Sequence, residues 1–104
     1  MISWERLKEN MAYKLKITNE AKDDFRNMFN YYLSETQDAE YTKKIIQDIR
    51  GKLEHLKVFP YRHPATIPDD ESIRSMYYKR YAIQYEVQES SVIILNIKHT
   101  STLL

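Results

Sequence analysis

The chain has no cysteine, which excludes disulfides, thiolate metal sites and cysteine nucleophiles. That absence accords with a reducing compartment. It has a single glycine and three prolines, too few for a Gly-rich phosphate loop or a low-complexity linker. No Ser-based nucleophile elbow is present either. No apolar run approaches the length of a transmembrane helix, and the first ten residues, Met-Ile-Ser-Trp-Glu-Arg-Leu-Lys-Glu-Asn, lack the apolar core of a signal peptide. The expectation is a soluble, cytoplasmic protein with no membrane association. Lys and Arg number 16 against 15 Asp and Glu, a net charge of +1 that argues against a dominant polyphosphate-binding surface.

What is present suffices for one packed core. At 104 residues the chain reads as a single domain over 11–104, preceded by an N-terminal appendage at 1–10 that carries Ile2, Trp4 and Leu7. Tyr13 to Ile17 alternates apolar residues with lysine and reads as a half-exposed first strand. Thr18 and Asn19 are good helix N-caps, and Glu20, Asp23 and Asp24 suit the positive end of a helix dipole. One helical face carries Ala21, Phe25, Met28, Phe29 and Tyr32, and the pattern dissolves between Ser34 and Asp38. A second helix carries Thr42, Ile45, Ile46, Ile49, Leu53 and Leu56. A short connection makes the two a hairpin. Gly51 lies inside the second helix, either tolerated at a surface or required by a backbone packed against it.

Pro60, Pro64 and Pro68 predict an irregular loop that ends in the acidic run Asp69 to Glu71. Three strands follow. Strict alternation of Tyr81, Ile83, Tyr85 and Val87 against Ala82, Gln84 and Glu86 marks a strand with one buried face. Val92 to Ile97 is apolar on both parities and reads as a central strand. The fold class is α+β: strand, two-helix hairpin, then a three-strand antiparallel meander, with the helices on one sheet face. If the more uniformly apolar parity of the last strand faces the core, Asn96 and Lys98 reach the open face. His99 then sits at a strand end that can bend either way.

Candidate chemistry collects in this last third, which carries Arg74, Lys79, Arg80 and Lys98 against Glu86 and Glu89. Arg74, Lys98 and His99 are candidates to converge on a phosphate, with His99 able to exchange protons near neutrality. The alternative is ordinary solvated strand ends. Nine tyrosines are many for this length. Tyr77, Tyr78 and Tyr81 beside Lys79 and Arg80 either stack on bases with cationic support or fill a small core. His55, His63 and His99 lack zinc-ligand spacing, and the Asp69 to Glu71 run lacks the glycine spacing of a calcium loop. No metal or cofactor is expected.

Several strings together resemble the RelE/ParE superfamily of toxins from type II toxin-antitoxin systems. They are the opening Tyr-Lys-Leu-Lys-Ile, the helix with Ala21, Asp24 and Phe25, the helix end from Leu56 to Pro60, and Ile73-Arg74. Tyr81-Ala82-Ile83-Gln84-Tyr85-Glu86-Val87 and the final Val-Ile-Ile-Leu-Asn-Ile-Lys-His complete the set. The likeness runs over about residues 12–99, and its specificity lies in joint order and spacing.

The resemblance implies a growth-inhibiting protein neutralised by a cognate antitoxin, in a plasmid-stabilisation type of system. Two activities are implied as alternatives. ParE-like members poison DNA gyrase; RelE-like members cleave messenger RNA in the ribosomal A site as metal-independent endoribonucleases. The nuclease pattern places an arginine where this chain has Ala82, and a catalytic tyrosine beyond a position at which the sequence reaches Leu104. Both departures lean the expectation toward a ParE-like, non-nucleolytic toxin. Arg74 and His99 are the catalytic pair if it is a nuclease, whereas Lys79, Arg80, Lys98 and Tyr78 are the expected contacts to a target or nucleic acid. A non-toxic relic or interaction module is the remaining alternative.

Overall fold

The computed structural model describes residues 12–103, so the appendage expected at 1–10 lies outside the described residues. Strand β1 (Lys14–Ile17) leads into helix α1 (Asn19–Thr36) and helix α2 (Ala39–Leu56). Strands β2 (Ala65–Ile67), β3 (Asp70–Tyr78), β4 (Tyr81–Val87) and β5 (Ser91–His99) follow, and a 3₁₀ turn closes at Thr100–Leu103. The sheet order is β1-β5-β4-β3-β2, with β1 parallel to β5 and every other pair antiparallel. No helix among the described residues is long and apolar enough to cross a membrane.

Local chemistry fixes the helix ends. Thr18, in an extended conformation, accepts the Ala21 N–H at 3.1 Å, and Asp38 accepts the Tyr41 N–H at 3.0 Å. Between them Gln37 adopts φ 51° and returns its N–H to Leu33 O, which ends α1. The buried stripe of α2 is Thr42, Ile45, Ile49, Leu53 and Leu56, with Ile46 half-buried. Of these, Ile45, Ile49, Leu53 and Leu56 meet Met76, Ile83, Tyr85, Val92 and Ile94 in one core. Burial of each large aliphatic or aromatic group there contributes roughly 1.5–3 kcal/mol.

Two features depart from the sequence reading. The irregular loop contains a fourth post-helical strand: Ala65 pairs with Arg74 and Ile67 with Asp70, so the acidic run forms the tip and first residues of a β2–β3 hairpin. The last strand also carries a bulge. Gln84 opposes Asn96 but Tyr85 opposes Ile94, which leaves Leu95 as an extra residue. Parity therefore switches within β5, and the core set is Val92, Ile94 and Ile97. Thr18 secures this bulge by donating its hydroxyl to Leu95 O at 2.8 Å.

Candidate functional site

The bulge decides where the basic end of β5 points. After it, Lys98 stands opposite Ala82 and His99 opposite Tyr81, so the two neighbours project to opposite faces by register. Lys98 belongs to the open face but curls around the strand edge to α1. Its Nζ lies 3.3 Å from Asp24 Oδ2 and 3.9 Å from Glu20 Oε1. Asp24 Oδ2 also accepts the Ile97 N–H at 2.8 Å, on the stretch of β5 that lies beyond β1. A single carboxylate thus closes a sheet edge and neutralises the lysine.

His99 lies on the helix side. Its ring meets Tyr81 edge-on with centroids 5.3 Å apart, and it lines a cleft of about 400 Å³ with Asp24, Tyr31 and Ile97. Ser101 N–H donates to His99 Nδ1 at 3.2 Å, so the neutral ring carries its proton on Nε2. Burial, then the neighbouring Tyr31, raises the Tyr81 phenol above its ordinary pKa. It stays protonated at neutral pH.

Arg74 is remote from this end. It opposes Tyr85, whereas His99 opposes Tyr81, a separation of about 13 Å along the strand direction alone. Its Nε donates to Glu71 O at 2.9 Å, and its Nη1 to His63 O at 2.6 Å and Tyr61 O at 3.2 Å. The guanidinium also covers the Tyr61 ring, 4.8 Å from its centroid. Arg74 therefore ties the 61–63 segment to β3. The structure brings together neither Arg74 with His99 nor Lys98 with His99.

The remaining candidates cluster at the β3–β4 turn. Tyr78 is only 8% exposed and donates its hydroxyl to Asp48 Oδ2 at 3.3 Å, which makes it a core residue rather than a stacking platform. Burial first, then Asp48, pushes its pKa up to about 12. Lys79 takes the left-handed turn position at φ 53°, with Nζ 5.7 Å from both the Tyr41 and Tyr78 ring centroids. Arg80 is exposed beside it, and its carbonyl accepts the Thr100 N–H at 2.7 Å. Tyr77, 59% exposed, is the ring of this group that faces open solvent. Ala82 has no exposed surface at all.

Sequence reasoning missed two groupings. Tyr32 stands 5.7 Å from Tyr31, 6.3 Å from Tyr41 and 6.2 Å from Tyr81, an aromatic cluster that joins both helices to β4. His55 and Arg62 meet at the C-terminal end of α2, with Nδ1 and Nη1 3.1 Å apart. The signal for the second was the helix end at Leu56 followed by Pro60, which turns the chain back on itself. Among the described residues no three His, Asp or Glu side chains gather as metal ligands would.

A five-stranded sheet with a helical hairpin on one face is an arrangement shared with solved structures of toxin-antitoxin systems. The same arrangement occurs in a toxin-antitoxin system, the chromosomal ParDE of P. aeruginosa, with TM-score 0.69 and 19% identity over 86% of this chain and 97% of that one. It also occurs in the toxin-antitoxin complex RelBE2 of Mycobacterium tuberculosis, with TM-score 0.58 and 15% identity over 86% and 92%. A conserved hypothetical protein of Helicobacter pylori shares it with TM-score 0.54 and 19% identity over 88% and 99%. No curated protein matches the sequence. Residues 15–104 match the model of the ParE toxin of type II toxin-antitoxin systems, parDE, and the chain belongs to that family.

Proposed function

We propose that this ParE-family toxin arrests growth by binding DNA gyrase in the cytoplasm, without cleaving RNA, and that a cognate antitoxin silences it. One observation carries the reading: among the described residues, the sheet's open face presents no concentrated set of available cations. Ala82 is enclosed and uncharged, and the Lys98 ammonium is held by Asp24 and Glu20. Arg74 stands on the Tyr85 side of the sheet by register, and spends its Nε and Nη1 donors on carbonyls. Cleavage of RNA by side chains alone needs cations where charge develops on the phosphoryl oxygens. A surface without them suits binding better than cleavage.

Under this reading Arg80 and Lys79 contact the target, and Tyr78 supports Lys79 from beneath. Lys98 serves indirectly, by holding α1 to β5. The edge strands β1 and β2, with Ile67 49% exposed, offer backbone and apolar surface to an antitoxin segment. Inducing the toxin without an antitoxin and sampling plasmid topology and message 5′ ends in the same culture tests the proposal. Relaxed plasmid with unchanged message ends is the expected result. New 5′ ends that vanish in a His99→Ala variant, with supercoiling intact, would establish the ribonuclease alternative instead.

A further inference from the structure

Two adjoining clefts open where the chain turns back along the C-terminal half of α2, and they share His55 and Arg62 as a common wall. The first, about 630 Å³, is an apolar slot that includes Phe59 and Tyr61, each 53% exposed. The second, about 610 Å³, gathers Lys52 and His63 with the shared pair. Both volumes fall in the range of small-molecule sites. Two permanent cations and two imidazoles therefore face a single carboxylate, Asp48, whose Oδ2 is already engaged by the Tyr78 hydroxyl. Counting permanent charges alone, Lys52 and Arg62 outnumber Asp48 by one.

The groups bear on one another directly. An arginine nitrogen can only donate, so the Arg62 Nη1 contact at 3.1 Å makes His55 Nδ1 the acceptor. Burial, then Arg62, Lys52 and His55, pushes the His63 imidazole below its ordinary pKa. The Phe59 ring packs 5.1 Å from His55, at the boundary between slot and cleft. Gly51 leaves the second cleft open, for a Cβ built there meets no atom within 4 Å. A cationic cleft beside exposed aromatic rings matches a ligand with a phosphate at one end and a flat base at the other.

We propose that the two clefts form one nucleotide-binding site, in which Lys52, His55, Arg62 and His63 receive a phosphate while the slot of Phe59 and Tyr61 takes the base. The site lies on the helix side of the sheet and does not depend on which target the toxin has. The phosphate can belong to a free nucleotide or to a single strand of nucleic acid.

Titrating the isotope-labelled full chain with 5′-AMP, inorganic phosphate, adenosine and a short single-stranded oligodeoxynucleotide tests this by NMR. 5′-AMP should shift the resonances of His55, Phe59, Arg62 and His63. Arg62→Gln should weaken it about tenfold. Phe59→Ala should weaken it about fivefold while leaving inorganic phosphate binding unchanged. An oligonucleotide that binds at least about tenfold tighter than 5′-AMP identifies a strand as the ligand, and equal affinity identifies a free nucleotide. Gly51→Leu, placed where there is room, should fill the cleft and abolish the shifts in a protein that still melts cooperatively. The proposal is overturned by silence at about 10 mM 5′-AMP, by adenosine binding equally well, or by full affinity in either Arg62→Gln or folded Gly51→Leu. Preference for an acidic peptide over every nucleotide overturns it too.

Discussion

Asp24 and Lys98 meet at 3.3 Å across the edge of the sheet, and the same carboxylate oxygen takes the N–H of Ile97. The Asp24 side chain is only 15% exposed, so little water can replace either contact. Asp24→Ala leaves a strand-edge N–H without its acceptor and the Lys98 ammonium with Glu20 alone, at 3.9 Å, and the expected loss is about 1–3 kcal/mol. Urea denaturation measures it. A change below about 0.5 kcal/mol means that the edge contact contributes no stability.

Arg74 acts as a clamp between β3 and residues 61–63. Arg74→Lys keeps the charge but loses the planar fork that reaches Glu71 O, Tyr61 O and His63 O together. Both Arg74→Lys and Arg74→Ala should therefore destabilise the protein, by about 1–3 kcal/mol. Hydrogen exchange should rise first in the 61–63 segment. Wild-type protection in the lysine variant would show that charge alone suffices.

Gly51 is a helix-interior glycine with open space where a side chain would sit. Gly51→Ala should raise stability by about 1 kcal/mol through helix propensity. Thermal melting reads this directly. A drop in melting temperature would show that the glycine is needed for packing after all.

Alkaline stability should depend on Tyr78. Its pKa rises from the ordinary 10.0 to about 12 in the folded chain, so between those values the unfolded state has lost a proton that the folded state retains. Its contribution to stability is complete below pH 10 and falls as pH climbs toward 12, by about 3 kcal/mol in all. Tyr32, Tyr81 and Tyr85 are raised as well and add in the same direction. Tyr78→Phe should flatten part of the fall between pH 10 and 12 in denaturation curves. An unchanged slope would assign it to the other tyrosines.

The elements that signal through periodicity were legible in the sequence. The α1 and α2 stripes, the N-cap at Thr18 and the alternation of β4 all stand where the pattern places them. Strand β2 was hidden because three residues between prolines are too short to show a period. The bulge at Leu95 was hidden by composition: a run that is apolar on both parities fits the core in either register, and only the partner strand and Thr18 fix the switch. The basic residues could be listed from the sequence but not their engagements. Asp24 lies 74 positions from Lys98, and the carbonyls that hold Arg74 belong to a segment whose course no local pattern encodes.

Supercoiling of relaxed plasmid by purified gyrase, with the toxin titrated in and then out by its antitoxin, is the most direct test of the central claim. The expected result is inhibition that saturates with toxin, is relieved by antitoxin, and weakens about tenfold or more in an Arg80→Glu variant, whose reversed charge repels the partner. Undiminished supercoiling at saturating toxin, from protein that still arrests growth, would contradict it.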